Sequence, residues 1–280
     1  MDAKSLFDKT ALECSRLITN RYSTSFSLGI KALHVNYHMP IYGIYGFVRY
    51  ADEIVDTFHD HDKKALLQHF REETKKAIES KISFNPVLHA FQLVVNQYEI
   101  EYSLIDAFLD SMEMDLEKTD YSLQGYKDYI YGSAEVVGLM CLRVFCEGNR
   151  EQYDQLKEPA CKLGSAFQKV NFLRDMKSDY EERGRTYFPG LHYPDFDRSA
   201  KEYIEADIEK DFNDALEGIK KLPTGARLGV YLAYKYYLKL FLKIKNLSPE
   251  TIASTRIRIP NVRKFSLLVS TYCGVKLGLD

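Results

Sequence analysis

Two aspartates four residues apart, Asp52 and Asp56, occur in the stretch YADEIVDTFHD. On an α-helix, side chains four positions apart lie on the same face with Cβ atoms about 5–6 Å apart. Two like charges this close repel each other unless water or a cation surrounds them. Carboxylate oxygens, together with water and phosphate oxygens, are the ligands that Mg²⁺ prefers. The pair therefore predicts a site for a divalent cation.

The neighbours of this pair indicate a helix face that points into the protein. Tyr45, Val48 and Arg49 share the face of the two aspartates, whereas the apolar residues between the aspartates fall on other sides. A helix that is apolar on several sides is predicted to be buried, so we expect the two acids to point inward. An arginine beside them is suited to bind phosphate oxygens.

A second acidic turn lies in the stretch QKVNFLRDMKSDYEERGRTYFP. Gln168, Asn171, Asp175 and Asp179 share one helical face there, and Arg174 stands next to the first of these aspartates. Two such turns on separate inward-facing helices could face each other across a cavity and hold several Mg²⁺ ions. The alternative is two unrelated acidic turns in a helical bundle.

The DxxxD spacing is not specific by itself, because it recurs elsewhere in the chain. The pairs 106/110 and 207/211 have the same spacing, and both are predicted to be surface acids. For 207/211 this follows from the charged residues that surround the pair in IEADIEKDFND.

The composition is that of an ordinary globular protein, with 45% hydrophobic and 28% charged residues in 280. A net charge of −2 excludes the basic footprint of a nucleic-acid binder. The five cysteines form no CxxC pair and follow no signal peptide, which favours a cytoplasmic protein. No window reaches the roughly 18 uninterrupted apolar residues that a membrane span needs.

The elements that position the two turns are predicted to be helices. The spans 41–85, 87–158 and 160–188 contain no proline, and their apolar residues recur every three or four positions. No run of alternating strand residues is present. The sequence predicts one all-α domain, residues 1–280, of about ten helices.

Six segments, in order along the chain, resemble motifs of the squalene and phytoene synthase family of head-to-head prenyl diphosphate condensing enzymes. They correspond to its diphosphate-binding segment, first metal motif, two tunnel-wall segments, second metal motif and basic end. In this chain they are YSTSFSLG (22–29), IYGFVRYADEIVD (44–56), SMEMDLEK (111–118), DYIYGSAEVVGLM (128–140), NFLRDMKSDYEERGRTYFP (171–189) and RIRIPNVRK (256–264). The similarity covers nearly the whole chain.

The resemblance implies a role for each matching polar residue. The residues expected to hold metal are Asp52, Asp56, Asn171, Asp175 and Asp179. Those expected to contact the diphosphates or the first carbons of the chains are Tyr22, Ser23, Thr24, Ser25, Tyr45, Arg49, Gln168, Arg174 and Tyr237, with Arg256 and Lys264 as further partners. The catalytic set is Asp52, Asp56, Asp175, Asp179, Arg49 and Arg174. The implied cofactor is Mg²⁺, with Mn²⁺ as the alternative metal, and no nicotinamide cofactor is expected for phytoene formation.

The family implies an isoprenoid synthase fold, a helical bundle around a central cavity, and a prenyltransferase activity. DEIVD together with RGRTYFP is closer to bacterial phytoene synthases than to squalene synthases, which favours joining two geranylgeranyl diphosphates through a cyclopropyl diphosphate intermediate in carotenoid biosynthesis. The alternatives are a dehydrosqualene or squalene synthase that uses farnesyl diphosphate, and a non-enzymatic helical assembly factor. Chain length, product geometry, oligomeric state and protein partners stay open.

Aromatic and small residues are the candidates for the cavity wall. Tyr129, Tyr131 and Phe26 are predicted to face the cationic intermediate, because ring faces attract cations. The small residues predicted to leave room for a chain, or to kink a helix, are Gly132, Ser133, Ala134 and Gly138. Since substrate and product are lipids, we expect reversible contact with the inner membrane surface.

Overall fold

The computed structural model describes residues 2–117, 121–191, 196–255 and 257, and this part of the chain is helical without a β-strand. The elements in chain order are α1 (Ala3–Tyr22), α2 (Thr24–Lys31), α3 (Val35–Asp56), α4 (Lys63–Ser80), α5 (Pro86–Tyr98), α6 (Tyr102–Glu117), α7 (Leu123–Ile130), a π-helix (Tyr131–Glu135), α8 (Val136–Cys146), α9 (Arg150–Arg183), α10 (Arg198–Lys221), α11 (Thr224–Lys245) and α12 (Pro249–Ser254). The all-α prediction is confirmed. The helices outnumber the ten expected because short ones, such as α2 and α12, show no sequence periodicity.

Side-chain caps set where the important helices begin. The Ser23 hydroxyl accepts a hydrogen bond from the backbone N–H of Phe26 and starts α2. Asn149 caps α9 in the same way, and Asp197 caps α10. Each cap satisfies a backbone N–H that has no partner within its own helix. The caps therefore fix the register in which α2 and α9 present their side chains.

The core is one continuous apolar cluster to which most of the helices contribute. Phe47 on α3 stacks on Phe91 of α5 at 3.9 Å between ring centroids and contacts Phe108 of α6 at 5.5 Å. These rings are fully buried. Close approach of α3 to α1 depends on Gly46, since a Cβ there would lie 2.7 Å from the Ser15 hydroxyl. This packing holds α3, which carries the first acidic turn, firmly in the bundle.

The prediction that the pairs 106/110 and 207/211 lie on the surface is correct for the first pair and only partly correct for the second. Asp110 is largely exposed, Asp106 is about half exposed, and both pair with Arg71. Asp211, in contrast, is buried with 2% exposure, where the ammonium groups of Lys169 and Lys162 lie 2.7 and 3.3 Å from its carboxylate. The prediction for 207/211 was wrong at this residue because two lysines on α9 neutralise a carboxylate that the local sequence placed on a charged surface.

In the part of the chain that the structure describes, Leu123–Cys146 is long and apolar enough to cross a membrane by length and composition. This segment comprises α7, the π-helix and α8. More than half of its most apolar window is buried among neighbouring helices. Core packing alone therefore accounts for its apolar composition.

Candidate active site

A cavity of about 1000 Å³ lies inside the bundle. Its walls come from the end of α1, from α2, α3, α6 and α7, from the π-helix, and from α8 to α11. Acidic, basic and tyrosine side chains gather at one end of the lining, and aliphatic side chains and phenylalanines line the rest. A pocket of this size is at the upper end of the range for small-molecule sites.

The first acidic turn faces this cavity. Asp52 and Asp56, in the last turns of α3, both belong to its lining. The guanidinium of Arg49 lies 3.9 Å from the Asp52 carboxylate, pairs with Glu53, and sits 4.5 Å above the ring of Tyr22. The structure thus brings four predicted site residues together at the end of α3.

The second acidic turn faces the same cavity from α9. Asn171, Asp175 and Asp179 are all lining residues, and Asp179 is buried. The Arg174 Nε donates to both carboxylate oxygens of Asp175 at 3.1 Å. Gln168, one turn below Asn171, bonds the Ser133 hydroxyl at 3.3 Å. The two turns, far apart in sequence, therefore line one space.

The segment between α1 and α2 forms another side of the polar end. The chain turns at Ser23, and Tyr22, Ser23, Thr24 and Ser25 all line the cavity. The first turn of α2 presents free backbone N–H groups and the positive end of a helix dipole, which together suit an anion. This local geometry is compatible with the diphosphate-binding role predicted for the segment.

Two tyrosines connect the elements around this end. The Tyr45 ring lies 5.4 Å from Phe26, and Tyr237 on α11 stacks on Phe167 at 3.9 Å. Burial raises the pKa of Tyr237, and the charge of Arg174 opposes that rise. The adjacent Tyr236 also lines the cavity. Tyr236 and Tyr237 can therefore both reach a molecule bound in the cavity.

Burial also changes the acidity of the first turn. It raises the pKa of Asp52 to about 7, and the carboxylates of Asp56 and Asp115 add to this rise, whereas Arg49 opposes it. Asp52 lines the cavity, and 34% of its side-chain surface is exposed. A cation bound at this turn would favour the ionised carboxylate and lower the pKa.

Sequence reasoning missed a buried ion pair in the wall. Asp115 on α6 and Arg185, just after α9, lie 3.2 Å apart, and both line the cavity. The Tyr129 hydroxyl donates to Asp115 at 3.0 Å, and Arg185 donates to the Tyr187 hydroxyl at 3.3 Å. Both charged residues stand inside motifs matched to the family, in SMEMDLEK and RGRTYFP. That shared membership was the available signal, because the two residues are 70 positions apart in sequence and local periodicity cannot pair them.

The predicted wall residues separate into two groups. Phe26, Tyr129, Ser133, Ala134 and Gly138 line the cavity. Tyr131 does not; its side chain is 38% exposed, so the prediction that it faces the substrate was wrong. Gly132 leaves no room for a chain either, since its Cα packs against α6, where an added Cβ would lie 2.4 Å from the Ala107 carbonyl oxygen. The π-helix turns these two residues away from the cavity.

The polar end of the cavity fits a metal–diphosphate complex. Among the described residues no group of three or more His, Cys, Asp and Glu side chains is arranged to hold a metal alone. Each turn supplies two carboxylates, so phosphate and water oxygens would complete an octahedral Mg²⁺ shell. In the same part of the chain, Asn171 Oδ1 and Arg49 Nε are buried without a hydrogen-bond partner. These are an oxygen available to a cation and a donor available to a phosphate. Arg256 and Lys264 lie outside the described residues.

An all-helical bundle with two acidic turns facing one largely apolar cavity has the architecture of the isoprenoid synthase fold. The family model described as squalene/phytoene synthase matches residues 19–263, and the chain belongs to that family. Members of the family are prenyltransferases, and so is this protein.

Relatives and solved structures agree with this assignment. The chain is 26% identical over 267 residues to a 15-cis-phytoene synthase of Paracoccus sp., covering 88% of this chain and 86% of the relative. It is 27% identical over 202 residues to a 4,4'-diapophytoene synthase of Staphylococcus haemolyticus, covering 69% and 67%. A crystal structure of a dehydrosqualene synthase in complex with ligand superposes with a TM-score of 0.80 at 22% identity, covering 96% of this chain and 98% of the other. The fold is thus shared over nearly the full length.

Proposed function

We propose that the protein joins two molecules of geranylgeranyl diphosphate head to head and releases phytoene, in a reaction that requires Mg²⁺. The observation that carries this proposal is the cavity with its two acidic turns and two arginines above a long apolar interior. The similarity to the 15-cis-phytoene synthase of Paracoccus sp., which covers 88% of this chain, supports the same substrate class.

The side chains have distinct tasks in this reaction. Asp52, Asp56, Asn171, Asp175 and Asp179 would hold Mg²⁺, which stabilises the departing diphosphate as a Lewis acid. The diphosphate oxygens would be bound directly by Arg49, Arg174, Gln168, Tyr22, Ser23, Thr24 and Ser25. Charge-assisted hydrogen bonds of this kind strengthen as negative charge develops on the leaving group.

The apolar walls protect the cation that forms when the carbon–oxygen bond breaks. A double bond of the second substrate attacks this cation, and loss of a proton gives the cyclopropyl diphosphate. Ionisation, rearrangement and loss of a second proton then give phytoene. The diphosphate itself can accept these protons. Phe26, Tyr45 and Tyr129 offer ring faces to the positive charge and exclude water.

A second candidate is condensation of two farnesyl diphosphates. It is favoured by the similarity to the diapophytoene synthase and to the dehydrosqualene synthase structure. Incubation of the purified protein with each diphosphate and Mg²⁺, without reductant, followed by extraction and mass spectrometry, separates the two. Phytoene from the twenty-carbon substrate supports the proposal, and product from the fifteen-carbon substrate alone assigns the second candidate.

The metal role is tested by replacing one aspartate in each turn. Asp52→Asn and Asp175→Asn each remove a ligand charge, so we expect product formation to fall at least about a hundredfold. Circular dichroism should show unchanged helix content. Asp110→Asn is the matched control, because it changes an exposed DxxxD pair on α6 that contacts Arg71 rather than the cavity. Substantial activity in either cavity variant would contradict the assignment.

The lipid nature of substrate and product also bears on where the enzyme works. The four cysteines within the described residues are free thiols, as is usual in a reducing cytoplasm. We place the enzyme in the cytoplasm with reversible contact to the inner membrane surface.

A further inference from the structure

The cavity has a defined depth, which can be measured along α9. Its lining residues on this helix recur at nearly every turn, in the order Asp179, Asp175, Asn171, Gln168, Gly164, Ala160 and Leu156. At a rise of about 1.5 Å per residue, Ala160 lies about 16 Å below Asn171, Leu163 about 12 Å and Leu156 about 22 Å. The helix therefore serves as a scale for the length of a bound chain.

The lower part of the cavity is lined by apolar side chains. Its lining there includes Leu156 and Pro159 of α9 with Ile219 and Leu222 of α10. Gly218 packs so tightly on Pro159 that an added Cβ would lie 2.2 Å from the proline Cβ. This contact packs α9 closely against α10 at this level of the cavity.

The lengths of the two candidate substrates can be compared with this scale. An extended chain advances at most about 3.3–3.6 Å for every three backbone bonds. By that measure the fifteen main-chain bonds of a geranylgeranyl group span about 17 Å, and the eleven of a farnesyl group about 13 Å. With its first carbon beside Asn171, the longer chain ends level with Ala160 and the shorter chain ends near Leu163.

We infer that Ala160 is a residue that determines chain length, because its small side chain leaves the lower cavity open to the fourth isoprene unit of a twenty-carbon substrate. The inference rests on the proposed function and adds to it the position at which substrates are discriminated. Ala160 lines the cavity and is only partly buried by protein, so space next to it remains for a ligand. A larger side chain there would occupy the space of the fourth unit and leave the first three unobstructed.

The test compares Ala160→Phe with the parent protein on each diphosphate separately. We expect the ratio of kcat/KM for geranylgeranyl over farnesyl diphosphate to fall at least tenfold, since even one methylene in an apolar pocket changes specificity by 10-fold or more. Glu158→Phe is the matched control: it adds the same ring to α9 two residues away, at an exposed position on the other side of the helix. Its ratio should equal that of the parent.

The outcomes separate this inference from the function on which it rests. A parent that forms no hydrocarbon from either diphosphate contradicts the proposed function. A parent that accepts only farnesyl diphosphate overturns the chain-length inference and assigns the second candidate function. An active Ala160→Phe variant with an unchanged ratio also overturns the inference. If this variant does not fold, Ala160→Leu is measured in its place, with the same expected direction.

Discussion

At the scale of single residues, the wall behind the acidic turns depends on the ion pair between Asp115 and Arg185. Both side chains are buried, with 7% and 10% exposure. Arg185 also donates to the Asp115 carbonyl oxygen at 2.5 Å, so it fixes the α6 backbone as well as the carboxylate. The hydroxyl groups of Tyr129 and Tyr187 complete the network. This network joins α6 to the segment after α9 and orients two rings that line the cavity.

Removing one partner of this pair should destabilise the protein strongly. Arg185→Met leaves the Asp115 carboxylate in a buried site without its cation, and we expect a loss of about 3–5 kcal/mol in the free energy of unfolding. The double variant Asp115→Asn with Arg185→Met should lose less than the sum of the two single changes, because no buried charge remains. Urea unfolding monitored by circular dichroism measures all three.

The control for this prediction is Arg71→Met on α4. Arg71 also pairs with two carboxylates, but the side chains of Asp106 and Asp110 are 46% and 66% exposed. Exposed pairs contribute about 0–1 kcal/mol. Equal losses in the free energy of unfolding for Arg71→Met and Arg185→Met would show that burial does not set the strength of the Asp115–Arg185 ion pair.

Three of the acidic pairs illustrate what sequence can and cannot predict at this scale. Asp52/Asp56 line a cavity, 106/110 face solvent, and Asp211 of the 207/211 pair is neutralised by lysines. The apolar neighbours of Asp52 on other helix sides revealed its inward direction. The direction of Asp211 depended on Lys169, which is 42 residues away in sequence. Local periodicity contains no information about such a distant partner.

At the scale of secondary structure elements, the π-helix Tyr131–Glu135 decides which side chains enter the cavity. One extra residue in this turn directs Ser133 and Ala134 to the cavity and places Gly132 against α6. π-helical turns inside α-helices often occur at functional sites. The sequence GSAE indicated a kink or a spacious wall, but the choice between them depended on how closely α6 and α9 pack here.

The contact between the π-helix and α6 requires a glycine. In Gly132→Ala the new Cβ would lie 2.4 Å from the Ala107 carbonyl oxygen and 2.6 Å from the Ser111 Cβ, so the helices must separate. We expect the free energy of unfolding to fall by about 1–3 kcal/mol, the range for overpacked sites.

A second glycine on the same helical segment provides the comparison. In Gly138→Ala the nearest atom to the new Cβ is the Ala160 carbonyl oxygen at 3.3 Å, a contact that a small shift relieves. Urea unfolding should therefore rank Gly132→Ala as clearly less stable than Gly138→Ala. The same stability for both variants would refute the close approach of the π-helix to α6.

A helix boundary was predictable where the backbone chemistry of one residue favours that boundary. It was not predictable where tertiary packing overrides the preference of that residue. Pro86 and Pro249 stand at the starts of α5 and α12, as the fixed backbone angle of proline favours. Pro159, however, lies inside the 34-residue α9. The prediction that 160–188 would form a separate proline-free span missed this continuity. α9 packs against both α8 and α10, and Pro159 itself contacts Gly218 of α10.

At the scale of the whole molecule, the polar end of the cavity is built from segments remote in sequence. The end of α3 provides Asp52 and Asp56, and α9 provides Asp175 and Asp179 more than a hundred residues later. Like charges directed into one space oppose folding in the absence of a counter-ion. A bound metal–diphosphate complex would neutralise both turns at once and connect the two halves of the chain.

This arrangement predicts that the protein is stabilised by the inorganic part of its substrate. Pyrophosphate together with Mg²⁺ should raise the melting temperature by several degrees, since ligand at a hundred times its Kd adds about 2.7 kcal/mol to the native state. Mg²⁺ alone or pyrophosphate alone should raise the melting temperature less. Mg²⁺ alone leaves the arginines without an anion, and pyrophosphate alone leaves the aspartates without a cation. Differential scanning fluorimetry measures the shift. Asp175→Asn should abolish it, whereas Asp110→Asn, at an exposed pair on α6, should retain it. A helical assembly factor without a substrate site would show no shift in any of these proteins, and that result would remove the link between the acidic turns and catalysis.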